Sequence, residues 1–513
     1  MSGALVLIGL AIATGLLAYK LYKGRQRHKL SLPPGPRSYP VVGHLLSIPS
    51  EYEHLGFMQL GKQLDSKIFT LSVFGTTLIV LNDKDDVVNL FDKCSTIYSD
   101  RTCPPIVKDP SLLNWSNFGV VIGYGDRLRK YRRLMNLCLN KQKIAMYHGS
   151  QEHAGRKLLR NLLKSHKDIK SSHELEAEFY LTVSETLFRS LYGYEAESSE
   201  DPILLRTHKL ITYFSYVMLP FSCMVNSIPA LRYVPEWFPG AGWKREVLKW
   251  RKEKDALLGD IYSIWLENMK KDEGTPIMVA SLRANALKLG LTEEEADDYV
   301  QQIAFTMVAG GTDTTISTLL MFILAMVLYP EVQKKAQAEL DSVIGNTRLP
   351  TFDDQDRLVY IDRLVQETLR WGPIAPLALP HTCYQDDIYK GYRIPKGAIL
   401  FGNVWAMTRD ETVYKHPEVF DPDRFLDAAT PPSPLFGWGR RRCPGVHLGE
   451  ASLFITIASI LMTFNIGVAQ DENGQDIIPS RNMIDSMILI PEPFVFKLTP
   501  RSAIHKELIR QSG

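Results

Sequence analysis

The first apolar run, residues 4–22, is almost unbroken (Leu5, Val6, Leu7, Ile8, Leu10, Ile12, Leu16, Leu17), with Lys20 near its end. It is close to the length that a bilayer core requires. Lys23, Arg25, Arg27, His28 and Lys29 follow at once, so the positive-inside rule puts the rest of the chain in the cytosol. A cleaved signal peptide has its basic residues before the apolar run. The order here is the reverse, and we read a retained anchor. Residues 32–37, Leu-Pro-Pro-Gly-Pro-Arg, form a stiff, extended connector. Apolar stretches at residues 68–73 and 78–81, around Phe74-Gly75-Thr76-Thr77, predict a hairpin. Residues 83–92 read as helix, and residues 101–121 have turn residues, Trp115 and Phe118 without a clean period.

A basic amphipathic helix is predicted over residues 125–140, with Arg127, Arg129, Lys130, Arg132 and Arg133; by itself such a run is usually a solvated face. Helical patterns then dominate to about Lys271. Within them residues 229–243 are apolar and broken by proline (Leu231, Tyr233, Trp237, Phe238), as core or as an aromatic patch that touches a membrane. Thr292 and Glu295 form a capping box, and the helix they open meets no proline until Pro330. That is ~54 Å of helix, enough to cross a domain. Its middle reads Ala309-Gly310-Gly311-Thr312-Asp313-Thr314-Thr315. Two glycines in a helix interior cost about 1 kcal/mol each relative to alanine. Thr306, Gly310 and Thr314 recur at four-residue steps, on one face. Another helix, residues 354–371, ends with Glu367 and Arg370 facing the same side. Short strands are expected at residues 388–394 and 398–401. Apolar runs at residues 487–490 and 494–498 predict a terminal hairpin turning near Pro491-Glu492-Pro493.

Composition adds limits. The chain has 513 residues, 45% of them apolar, ample for a large core. Lys+Arg 59 against Asp+Glu 57 is nearly balanced, which gives no reason to expect a nucleic-acid partner. The six cysteines are scattered without a C-x-x-C pair, so a zinc site or disulfide framework is not expected and a reducing compartment fits. The sequon at Asn114 would then stay unglycosylated.

One cysteine stands in a special setting: Phe436-Gly437-Trp438-Gly439-Arg440-Arg441-Arg442-Cys443-Pro444-Gly445, just before an apolar helical pattern. The glycines let the chain loop tightly under a flat object. Pro444 suits the start of the following helix. The Cys443 sulfur would sit near unpaired amides at a positive helix end, a setting expected to lower a thiol pKa. Phe436, Gly439, Arg441, Cys443 and Gly445 reproduce F-x-x-G-x-R-x-C-x-G, which resembles the haem-binding loop of the cytochrome P-450 family. The middle of the long helix matches that family's oxygen-binding motif. Glu367-Thr368-Leu369-Arg370, with Arg424 as third member, resembles its E-x-x-R lock. Arg132 matches the arginine of its W-x-x-x-R motif, with Leu128 where the Trp is expected.

The resemblance spans nearly the whole chain and is most like microsomal, fungal secondary-metabolism members. It implies a mainly α fold with small β-sheets: an anchor over residues 1–22, a basic and proline-rich hinge over 23–40, and a catalytic domain over 41–513. It implies haem b, with iron on Cys443 and the haem cradled by Phe436 and Gly310. Arg132, Arg441 and His381 would serve the propionates. A helix opened at its glycines would let Asp313 and Thr314 deliver protons to dioxygen. The expected partners are O2, a small apolar substrate such as a terpenoid or polyketide, NADPH-cytochrome P-450 reductase and cytochrome b5. The expected location is the endoplasmic reticulum membrane, single-pass, with the domain in the cytosol. Basic residues at the cysteine loop and the arginine-rich helix would dock the acidic electron donor. Two other readings of such a chain are a reductase-independent thiolate-haem isomerase or dehydratase, and a non-enzymatic haem sensor. Asp313-Thr314 argues against the first and the apolar segments against the second.

Overall fold

The computed structural model describes residues 30–164, 168–196, 198, 200–218, 222–271 and 277–512. The anchor and the basic part of the hinge therefore lie outside the described residues. What remains of the hinge is tied down: Thr70 N–H donates to the Pro34 carbonyl (2.8 Å) and Arg393 N–H to that of Ser31 (2.8 Å).

The architecture is mainly helical. Thr292 caps the central helix, Glu293–Leu328, through the capping box read in the sequence. From Ile316 to Val327 every side chain of that helix is buried. The helix that follows the cysteine loop, Val446–Thr463, is nearly as apolar, and 78% of the most apolar window of each is buried inside the protein. Helix Ser172–Tyr192 packs along the central helix, where the Leu187 side chain sits 3.0 Å from the place of a Cβ on Gly311. Pro330 does not end helical structure; it opens the next helix, Pro330–Val343, as its first residue, where a missing N–H costs nothing.

The strands are β1 (Ile68–Val73), β2 (Thr76–Leu81), β3 (Ile169–Ser171), β4 (His381–Thr382), β5 (Asp387–Tyr389), β6 (Tyr392–Ile394), β7 (Ile399–Gly402), β8 (Phe464–Gln470), β9 (Asp476–Ile477), β10 (Met483–Ile484), β11 (Ile490–Pro491) and β12 (Val495–Pro500). The first hairpin has Ile68 opposite Leu81. It extends to a sheet ordered β1-β2-β7-β4, with β7 parallel to β2 and His381 opposite Leu400. The terminal hairpin is a correction. The run near residue 490 pairs with β10, and β12 pairs with β8 and β3. Alternation identifies a strand without naming its partner, and here the partners are distant in sequence.

Residues 83–92 are helical as expected, with α-helix over Lys84–Val87 and wider π turns over Val88–Lys93. The helix predicted from 354 begins later, at Val359, after a tight 3-10 segment over Phe352–Arg357.

Candidate active site

The cysteine loop is closed by its own backbone. Cys443 N–H donates to the Phe436 carbonyl at 2.8 Å, Arg441 N–H to Trp438 and Arg442 N–H to Gly439, both at 3.2 Å. Gly437 and Gly439 have φ of +74° and +53°, a region that side-chain-bearing residues rarely enter. At Gly439 a Cβ would stand 2.0 Å from the Phe91 carbonyl oxygen, so only glycine fits. Phe91, Trp438 and His381 pack around the turn, with Phe91 stacked on His381 at 4.0 Å between ring centroids.

Cys443 lies just before the start of helix Val446–Thr463, with Gly445 as the capping residue. Burial pushes its thiol up, and the Gly445 amide, Arg132 and Arg442 only partly offset this. The lowering expected from the helix start is therefore outweighed by desolvation. A thiolate here depends on a coordinating metal, which deprotonates a thiol outright.

Arg441 is buried and held by two carbonyls: its Nε donates to Ser99 O and its Nη2 to Ile122 O, both at 2.7 Å. The side chain of Arg132, on helix Asp126–Leu139, makes no hydrogen bond among the described residues. A third arginine joins them that the sequence reading missed. Arg101 donates from Nη1 to Pro380 O at 2.8 Å, and burial with the fields of Arg441 and Arg132 pushes it down to about 9. Arg441 is pushed down to about 10 by burial, with Asp100 opposing and Arg132 adding to the fall. None of the three forms an ion pair with a carboxylate among the described residues. Buried cations are normally paired. Three guanidiniums without an ion-pair partner, acting on one another, make a site for an anionic group, a chemistry that the two propionates of a haem would fit.

His381 sits beside them on β4. Its Nδ1 donates to Tyr98 O at 2.6 Å, and burial with Arg101 and Arg441 pushes it down to about 3. The ring is thus neutral, and its Nε2 can donate only once protonated, a state that an adjacent carboxylate favours. Leu128, in the place of an expected Trp, is buried in the core.

The glutamate-arginine lock is as the sequence suggested. Glu367 and Arg370, both fully buried, form a two-pronged pair at 2.7 Å for each contact. Arg424 Nε reaches Glu367 Oε1 at 3.0 Å, and Arg370 Nη1 donates to Thr408 O and Pro417 O. This joins the helix to the segment ahead of the cysteine loop and touches no reacting group.

Gly310 is exposed in the middle of the central helix, between buried stretches, and a Cβ there would meet nothing within 4 Å. That leaves a flat group room to approach the backbone. The helix is continuous through residues 310–314, so the expected opening is not observed. Instead Thr314 Oγ1 donates to Gly310 O at 2.7 Å, which leaves the hydroxyl free to accept a proton-bearing partner. The Asp313 carboxylate makes no hydrogen bond among the described residues. Burial pushes it up, His208 opposing and Glu176 adding. Two turns earlier, Thr306 Oγ1 accepts from Gly119 N–H at 3.1 Å, pinning the 101–121 segment to the helix. Trp115 Nε1 adds a bond to Gln302 Oε1 at 2.9 Å, and Trp115, Phe118, Phe214 and Phe305 form an aromatic cluster.

Comparison with known proteins identifies the family. The cytochrome P450 family model matches residues 33–498. The chain is 36% identical over 496 residues to a cytochrome P450 monooxygenase of Armillaria gallica, covering 95% of each chain. It is 35% identical to cytochrome P450 monooxygenase 208 of Postia placenta, over 98% of this chain and 96% of that one. It is 34% identical to cytochrome P450 monooxygenase claR of Ampulloclitocybe clavipes, over 98% and 92%. With matches of this extent on a mainly helical fold that carries the cysteine loop, the chain belongs to the cytochrome P450 family and is a haem-thiolate monooxygenase.

Proposed function

We propose that this monooxygenase oxidises a small, neutral, apolar compound of secondary metabolism, such as a terpenoid or polyketide, at a membrane surface. Cys443 would ligate the iron, and Arg101, Arg132 and Arg441 would hold the propionates, with His381 beside them. Bound there, haem supplies the activation of dioxygen. The chain's own part is to position and to move protons. Thr314 holds a hydroxyl on the exposed face of the central helix, and Asp313 brings a carboxylate whose raised pKa suits an acid–base relay. The aromatic cluster of Trp115, Phe118, Phe214 and Phe305 keeps water from the roof of that face.

The observation that carries the reading is the stretch at residues 310–314, where an exposed Gly310 stands beside half-buried Asp313 and Thr314 in a helix mostly given to packing. Ala375, Leu377, Ala378 and Leu379 are half-buried and uncharged, which supports a neutral substrate. Electrons would come from NADPH-cytochrome P-450 reductase, with cytochrome b5 as a second donor, docking on Arg133, Arg440 and Arg442, all exposed. Membrane contact is supported by a cluster of exposed apolar side chains: Tyr233 at 73%, Trp237 at 79% and Phe238 at 50% exposure. With residues 4–22 as a retained anchor, the enzyme would sit on the cytosolic face of the endoplasmic reticulum.

The full-length protein with purified reductase tests this. Candidate terpenoids and polyketides that shift the haem spin state should also drive NADPH consumption and yield an oxygenated product. Turnover of such a compound without NADPH would move the chain to isomerase or dehydratase chemistry.

A further inference from the structure

Away from the cysteine loop, a cavity of about 210 Å³ is walled by Met321, Trp371, Trp405, Arg409, Arg481 and Met483. Met321 stands seven residues beyond Thr314 on the central helix, ~10 Å along its axis. An apolar cavity of ~150 Å³ holds a benzene molecule, so this one has room for a six-membered ring with a small substituent. Two indoles and two thioethers favour an aromatic ring, through ring–ring and sulfur–ring contacts.

The charge of the walls sets the substituent. The Arg409 guanidinium lies 3.6 Å over the Trp405 ring, and that of Arg481 lies 4.7 Å over Trp371. One carboxylate, Glu418, serves both: Arg481 Nη2 is 2.8 Å from Oε2 and Arg409 Nε is 3.5 Å from Oε1. Arg370, whose field also acts on Arg409, is already taken by Glu367. Two guanidiniums thus share one anion, and the Arg409 side chain is only 5% exposed. Burial, with Arg370 and Arg481 adding, pushes Arg409 down to about 9 against the pull of Glu418. Arg409 already donates from Nη2 to Trp371 O at 2.6 Å and from Nη1 to Thr408 Oγ1 at 3.0 Å, so an anion in the cavity would meet its Nε, which has no hydrogen bond, together with the Arg481 guanidinium. Arg481, 40% exposed, lies on the open side of the cavity, and its pair with the 59% exposed Glu418 is a surface pair weak enough to part for a ligand.

We propose that this cavity is a second binding site, for a small aromatic carboxylate, with the ring against Trp371 and Trp405 and the carboxylate on Arg481 and Arg409. The probe is benzoate, titrated into the full-length, haem-loaded protein while tryptophan fluorescence is read. A saturable change is expected that persists when an azole occupies the haem iron. Met483→Trp, which fills the cavity, and Arg481→Gln, which removes a charge at its mouth, should each weaken benzoate at least tenfold. The carbon monoxide spectrum of the reduced variants checks that their haem sites stand. Competition between benzoate and the azole, a non-saturating response, or unchanged affinity in both variants would overturn the proposal.

Discussion

On the cysteine side the loop backbone and the lock behind it are tied within the protein; on the central-helix side Asp313 and Thr314 have few partners. The loop is closed by three backbone bonds and two left-handed glycines, and behind it Glu367 binds Arg370, Arg424 and the Asp421 amide. Opposite, the Asp313 carboxylate has no hydrogen bond among the described residues, and the one bond of Thr314 turns back to Gly310. Satisfied buried networks rigidify, and unsatisfied groups are held in reserve for a ligand. A site divided this way would fix its proposed iron ligand and leave its proposed proton donors free to engage what binds.

The largest expected effect comes from breaking the rigid side. Glu367→Ala would leave the Arg370 and Arg424 guanidiniums without their buried anion. Removing one partner of such a pair costs about 3–5 kcal/mol. Thermal unfolding should fall steeply and the purified protein should lose its haem; a variant as stable as the parent would show that the lock is dispensable.

The central-helix side should respond in chemistry and keep its fold. Asp313→Asn should slow turnover by ~10²–10⁴, the usual range for a lost general acid or base. Thr314→Ala should keep haem, substrate binding and electron uptake, but divert NADPH into peroxide. Product, peroxide and NADPH measured together check both. Unchanged coupling in Thr314→Ala would sink the proton relay and blur the contrast between the two sides.

Much of this division was legible in the sequence, for reasons that differ by region. The capping box at Thr292, the glycines of the cysteine loop and the pairing of Glu367 with Arg370 are local patterns, and each stands as expected. Arg101 was not legible, because nothing next to it in sequence marks a binding residue. Its role comes from Arg132, Arg441 and Pro380, brought together by the fold. The Cys443 thiol was misjudged because a helix start is visible in sequence and depth of burial is not. The partners of β12 were missed for the same reason, since strand order is a long-range property.

Smaller effects sharpen the comparison at the anionic site. Arg101→Ala should speed haem loss about 10- to 100-fold, the equivalent of one charge-assisted bond at ~1.5–3 kcal/mol. Haem transfer to an apoprotein acceptor measures it, and an unchanged rate would remove Arg101 from the site. Leu128→Trp should give the least change. A new indole donor gains a bond, but Leu128 is buried at 4% exposure, and overpacking costs ~1–3 kcal/mol. The two nearly cancel, so haem loss slowed by less than tenfold is expected.

The central claim is that Cys443 is the iron ligand held by the rigid half of the site. The direct measurement is the carbon monoxide difference spectrum of reduced Cys443→Ala beside that of the parent. A thiolate-type band is expected in the parent and none in the variant, and a thiolate-type band surviving in Cys443→Ala would remove Cys443 as the ligand.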